Sequence, residues 1–542
     1  MTAEPEAIGE AVLLVPSERV KKQKELKMMK KVMTQVAPIS RTTPVLTAAL
    51  LLAAGSARAA DLNWQGTGST TTTTDFNLNT NWQNGTLPGS SDIGFFSNTS
   101  GTLNSDVTAA ITIGGLAFST GTHIVSSIGG FAITLTSNAN STNPRPAFYG
   151  FSAGQTETVS ADLILAPTSG GISYFYGNSA TSNFILSGDI SGAAQIYMQN
   201  GGVYTFSGNN SFAGGVVVAS SANSVNIGSA TALGTGIFQI STGAGSNNQT
   251  ITNSSGGALT LTNALTFARG QTSQSTTFTG SDLTFNGAVT LLNANSATTT
   301  LIVNNTLTLG GVVKHTGYTN GALIKDGSGT LTLGGANTYT GGTTVAAGKI
   351  LVSNTTGSGT GTGAVTVNSG ATLGGTGTIS GTVTVNGSLA PGNSIGTIST
   401  GNLAIGATGA LDVELGRSGT TPTSDRTNVT GTVTFSDGAD LKLTLYSGLD
   451  NAELGDIFYL ISNNLADAIV GEFTKLNGTA TTLSEGSLFS WNSRQWQITY
   501  LADYSTGFTG GNDLAIQVVP EPAALALLCL GGVGLLRRRR NG

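Results

Sequence analysis

The sequence predicts an all-β fold: a solenoid of stacked coils, a less regular β cap, and a short C-terminal hydrophobic helix. Three observations carry this. The 542 residues include 77 glycines, twice the usual share of about 7%, and only 9% charged residues against roughly 25% in an average soluble domain. Short runs alternate apolar residues with threonine, the period of a strand buried on one face. Near-identical runs also recur at a short step: Gly363-Ala-Val-Thr-Val-Asn368 matches Gly381-Thr-Val-Thr-Val-Asn386 eighteen positions later. Stacked coils produce this pattern, because no coil buries its inner valines alone. Asparagines at the coil corners, Asn368 and Asn386 among them, are placed to stack into a hydrogen-bonding ladder. Helices are disfavoured, since each interior glycine costs about 1 kcal/mol relative to alanine. The 39% hydrophobic content argues against disorder, and 12 prolines without a glycine at every third position exclude collagen.

The formal charge of −5 hides a partition. Residues 61–519 hold ten of the 23 bases and 22 of the 28 acids, so this body carries −12. Nucleic-acid binding, which needs clustered Lys and Arg, is excluded. The single cysteine, Cys529, lies in an apolar run and gives no disulfide framework.

Residues 1–59 read as a leader and signal peptide. Six lysines between Lys21 and Lys31 precede an apolar run from Pro44 to Gly55, and Ala57 and Ala59 supply the small-residue cleavage pattern. The apolar run is too short for a stable membrane span. The Glu-bearing stretch before Met28 fits a signal poorly, which makes Met28 or Met29 an alternative start.

Residues 60–100 are expected to cap the N-terminal end, and residues 101–410 to form the coils. Within them Gly329–Val345 aligns without gaps on Gly202–Val218: strand, Gly, Asn, an aromatic (Tyr339 or Phe212), Gly-Gly, strand. The segment Lys325–Leu351 resembles the autotransporter-associated β-strand repeat, with the best copy over 321–352. That resemblance implies the right-handed parallel β-helix of exported passenger domains. Asn81-Trp82, Gly85, Pro88, Asp92 and Phe96, after Trp64, are similar to the start of many such passengers, and Leu389–Gly396 to their last coils.

Residues 411–518 are less repetitive and hold Trp491 and Trp496, as a region covering the open end of a solenoid would. They are too few for the usual large membrane barrel of an autotransporter. The chain reads as a passenger without its own pore.

The tail, 519–542, has three parts. Val519, Pro520, Glu521 and Pro522 are followed by fourteen apolar or glycine residues and then Arg537, Arg538, Arg539 and Arg540. A fourteen-residue helix spans about 21 Å, short of a roughly 30 Å hydrocarbon core. The order of parts resembles the PEP-CTERM sorting signal. The resemblance implies an exosortase-type processing enzyme, transient anchoring in the inner membrane by the short helix, and a setting of extracellular polysaccharide.

Catalytic material is sparse. The acids Asp425, Asp437, Asp440, Asp450, Glu453 and Asp456 fall at irregular steps beside glycines, without the paired carboxylates a glycosidase needs. Lys314, Lys325, Lys349, Arg417 and Arg426 form no constellation, and His123 and His315 lack flanking ligands. Gly510–Asp513 is a single incomplete calcium-type turn, and Gly357–Gly363 lacks the lysine of a phosphate loop. No cofactor or metal site is expected. The pairs Thr330/Thr332 and Thr382/Thr384 read as outward polar residues that shift register between coils, not as a flat binding array. The leading expectation is an exported, non-catalytic surface or matrix protein. A carbohydrate-active β-helix enzyme and a glycan-binding adhesin stand as alternatives.

Overall fold

The computed structural model describes residues 61–64, 74–97, 102–136, 147–151, 153–168, 170–219, 223–242, 248–269, 274–292, 298–316, 321–446, 452–464 and 467–521. All belong to the unit Ala59–Gly542. The expected signal residues Ala57 and Ala59, the hydrophobic tail helix, Asp450, Cys529, Pro522 and Arg537–Arg540 lie outside them. Regular structure among the described residues is β, apart from two short 3-10 turns at Asn79–Asn81 and Gln83–Gly85.

The chain passes over three faces in fixed order. Ile93–Phe96 lies on the first, Thr102–Val107 on the second and Ile111–Ile113 on the third; Gly115–Phe118 then returns to pair in parallel with Ile93–Phe96. Repetition of this path gives a right-handed parallel β-helix, the hand that a parallel return to the same sheet takes in nearly all cases. The second face is one sheet of 16 described strands, from Thr74–Asp75 to Val433–Phe435.

The 18-residue match is seen directly as register. Val365 pairs with Val383, Thr366 with Thr384 and Val367 with Val385. The valines are buried and the threonines half-exposed. The inner column runs Val345, Val367, Val385, Ile405, Phe435, all buried. Burying each such side chain contributes about 1.5–3 kcal/mol, and a coil realises it only with neighbours above and below. The threonine arrays are more regular than expected. Thr260, Thr284, Thr308 and Thr332 stand in register on the third face, because the coil length stays constant there.

The two copies of the longer motif adopt one hydrogen-bonding scheme on different faces. In the first copy Gly202–Phe206 lies on the second face and Val216–Val218 on the first, so its corner replaces a third-face strand. In the second, Thr330–Leu333 lies on the third face and Thr343–Val345 on the second, so the corner replaces a first-face strand. Asn210 accepts from the Ile190 N–H and donates to the Ala232 carbonyl at 2.8 and 2.7 Å. Asn337 likewise accepts from the Val313 N–H and donates to the Gly359 carbonyl. Each buried amide thus bonds the coils before and after it. These are single asparagines bonded to backbone rather than the expected ladder of stacked asparagines, and Asn368 and Asn386, the residues expected to stack, lie nearer solvent. The following coil places Gly234 or Gly361 at positive φ against the aromatic of the motif. A Cβ there would meet the carbonyl oxygen of Phe212 at 2.3 Å or of Tyr339 at 2.1 Å.

Both ends of the core are covered. Trp64, Phe76, Trp82 and Phe96 pack with ring centroids 4.9–6.1 Å apart, and the Trp82 indole donates to the Phe76 carbonyl at 2.8 Å. At the other end parallel pairing gives way to antiparallel strands: Ile457–Asn463, Asp513–Val519, Arg494–Ala502 and Leu488–Trp491, with Trp496 buried among them.

Substituting Asn337→Ala strands the Val313 N–H and the Gly359 carbonyl in the interior. Denaturant titration is expected to show a loss of about 2–4 kcal/mol. Hydrogen exchange should localise the loss at the Val313 amide, while Asn368→Ala stays within about 0.5 kcal/mol of the parent.

Candidate functional site

Charge is scarce enough that each buried or paired charged group can be followed. His123, on the second face, points inward with Glu157 on the next coil. Its Nδ1 lies 2.7 Å from Glu157 Oε2, and its backbone N–H donates to the same oxygen at 3.1 Å. Burial pushes the Glu157 carboxyl up, and His123 pulls it back. Phe96 and Phe118 flank the imidazole, so this pair is sealed in the core, away from any substrate. His315 stands on the first face and shares no site with it.

Lys325 is also fully buried. Its Nζ donates to the Gly327 and Ala347 carbonyls at 2.8 and 2.9 Å, bonding one coil to the next, and desolvation lowers its pKa to about 8. Lys314 is exposed. Arg417 pairs with Glu453 at 2.8 Å and with Asp456 at 2.9 Å, which pins the hairpin of Ala410–Ser418 and Thr421–Ser424 to the segment before strand Ile457–Asn463. Arg426 lies 4.2 Å from the ring centroid of Tyr504. Asp440 accepts from the Gly478 N–H. Asp513, from the calcium-like turn, accepts from the N–H groups of Asn463 and Tyr504. No group of acids, histidines and cysteines among the described residues is placed to hold a metal ion.

One constellation does form. Strand Ala410–Ser418 turns Leu411, Val413 and Leu415 inward, which puts Asp412 and Glu414 together on its outer side. Asp425 approaches from the chain beyond the hairpin, accepting from the Gly396 N–H at 2.8 Å and the Glu414 N–H at 2.9 Å. With Lys349 these three carboxylates line a cleft of about 260 Å³. Burial raises Asp425 to about 7 against the pull of its two N–H donors, and the nearby Glu414 and Asp412 raise it further. Asp412 is raised as well, chiefly by burial, with Lys442 opposing. The cleft therefore brings a carboxyl raised to about 7 together with Asp412 and Glu414.

Of the acids singled out from sequence, only Asp425 belongs to this cleft. Asp437 borders a wider groove of about 640 Å³ with Phe435, Glu472, Glu485 and Tyr500. There the Glu485 carboxylate accepts from the Thr499 hydroxyl and the Tyr500 N–H. Asp412 and Glu414 were missed although their signal was local: an Asp-x-Glu step inside an alternating Leu/Val strand places both carboxylates on one face.

The last strand, Asp513–Val519, ends at Val519 and leaves Pro520 and Glu521 exposed at the surface. Two family models match the chain. The passenger-associated-transport-repeat matches residues 198–220 and 323–352, which cover both copies of the corner motif. The PEP-CTERM protein-sorting motif matches residues 518–540. Comparison with curated proteins finds no match. The chain thus carries passenger repeats on its coils and a sorting motif that begins within the last described strand. No helix among the described residues is long and apolar enough to cross a membrane.

The raised carboxyl makes stability depend on pH. A group whose folded pKa of about 7 exceeds its ordinary 3.8 favours the fold fully below pH 4, and that contribution is lost as pH rises through 7. Asp425→Asn should flatten the fall in stability between pH 4 and 8, on the order of a few kcal/mol, as read from denaturation midpoints across that window. An unchanged slope would mean that other groups set it.

Proposed function

We propose that this chain is an exported, non-catalytic structural protein of the cell surface or extracellular matrix, handled by a PEP-CTERM/exosortase-type system. The observation that carries the reading is the presence, in one chain, of passenger repeats on stacked coils and a sorting motif that begins at the end of the last described strand. In this reading the signal is cleaved after Ala57-Arg58-Ala59 and export follows the general route. The apolar stretch after Pro522 then holds the chain in the inner membrane, with Arg537, Arg538, Arg539 and Arg540 on the cytoplasmic side by the positive-inside rule. Such a stretch, shorter than the hydrocarbon core, suits retention until processing near Val519, Pro520, Glu521 and Pro522.

A structural role is supported by how the charged groups are engaged. Lys325, Arg417, Asp440 and Asp513 all bond neighbouring segments of the fold. The acidic cleft of Asp412, Glu414 and Asp425 favours the alternative, a carbohydrate-active enzyme on the same scaffold.

Fractionation of the native cells with mass spectrometry of both termini tests the reading. The mature protein should begin after Ala59, end before Arg537, and be found in the envelope or medium. An abundant mature form that retains Arg537–Arg540 would overturn the sorting step. Incubation with neutral and acidic polysaccharides should release no new reducing or unsaturated ends. Release that Asp412→Asn abolishes would establish the enzyme instead.

A further inference from the structure

The outer side of the first face changes character along the stack. In the coils nearest the N-terminal end it carries aromatic rings. Register places Tyr176 beside Tyr149 and Tyr174 beside Tyr197, while Phe95 and Phe151 extend the group. The rings touch in sequence: Phe95 to Phe151 at 5.2 Å, Phe151 to Tyr149 at 4.0 Å, Tyr149 to Tyr176 at 6.1 Å, Tyr176 to Tyr174 at 5.9 Å and Tyr174 to Tyr197 at 5.4 Å between centroids. All six are half-buried or exposed.

Strand pairing does not require these rings. The column holding Tyr174 and Tyr197 continues through Val217, Gln239, Thr266 and Thr290 to Lys314, stacking equally well with small or polar residues. A contiguous aromatic surface on a chain with 6% aromatic residues therefore asks for an occupant.

We propose that this surface is a platform for a neutral polysaccharide chain lying along the stack of coils. Three features select that occupant. The strands that form the platform, Ile93–Phe96, Gly115–Phe118, Phe148–Gly150, Ile172–Gly177 and Gln195–Gln199, contain no charged residue. Nucleic acid, an acidic glycan or an anionic lipid surface would each call for lysine or arginine here. Four of the six rings are tyrosines, which offer an apolar face with a polar rim, and Gln195 and Gln199 add amides beside them. A pyranose has the matching asymmetry, with an apolar C–H face and hydroxyls at its edge. The Tyr176 hydroxyl is pushed up by burial and by its neighbours Tyr174, Tyr197 and Tyr149, so it stays protonated and able to donate. Finally, strands in a sheet repeat at about 4.8 Å. That step is close to the length of one sugar unit in an extended chain, so successive coils meet successive units.

This inference rests on the extracellular placement proposed above, and its test separates the two. The mature, secreted full chain is run in native gels containing hydroxyethyl cellulose, dextran, galactomannan or alginate. Retardation by at least one neutral polymer, and none by alginate, is expected. The double variant Tyr174→Ala/Tyr197→Ala should bind about tenfold or more weakly. Tyr174→Phe/Tyr197→Phe should keep most of the binding, because the rings remain. Gln239→Ala/Thr266→Ala, further along the same column, should bind as the parent does. Circular dichroism confirms that each variant is folded. No retardation by any neutral polymer, or equal retardation of the double alanine variant, overturns the platform. So does retardation by alginate alone, or a concentration-dependent dimer that the alanine variant abolishes. If fractionation finds the protein in the envelope and these gels show no retardation, the platform fails and the sorting reading stands. Binding by a protein that cells do not export would reverse that outcome.

Discussion

Parallel, in-register stacking is the condition on which the rest of this molecule depends. A single coil has its valines and leucines half-covered and its backbone donors and acceptors open along both edges. The next coil closes both deficits at once, which is why Val365, Thr366 and Val367 meet Val383, Thr384 and Val385 in register. A slip of one residue would turn every inner valine outward. The open ends then need their own solutions: an indole and phenyl cluster at one, antiparallel strands around Trp496 at the other.

Much of this was legible in the sequence because its causes are local. Alternation and the 18-residue offset identify strands that stack, and glycine marks the corners. The shared corner motif was visible too, but not the face on which each copy would sit. That depends on how many strands precede it in the winding, a property of the whole path. His123 and Glu157 could not be joined from sequence, since their separation equals one coil of irregular length. The cleft is a mixed case. Asp412 and Glu414 announce a common face through strand alternation, whereas Asp425 arrives only because a hairpin brings the chain back to the N–H groups of Gly396 and Glu414.

The low charge content has a matching structural logic. Several interior polar groups bond one coil to the next, among them the amides of Asn210 and Asn337 and the ammonium of Lys325. Desolvation weighs on each, as the lowered pKa of Lys325 records. Outward strand positions carry threonine on the third face and tyrosine and glutamine on the first.

The corner unit built on Asn210 and Asn337 has a consequence for how such chains grow. Because the same set of bonds works on the third face and on the first, a duplicated stretch need not return to its original phase in the winding to be accommodated. Recombination between similar stretches can add or delete one side of a coil, and the inner register survives. Chains of this kind are therefore free to change length in steps smaller than a full circuit, and their history should be written in offsets as uneven as the 18-residue step on the second face and the longer ones before it.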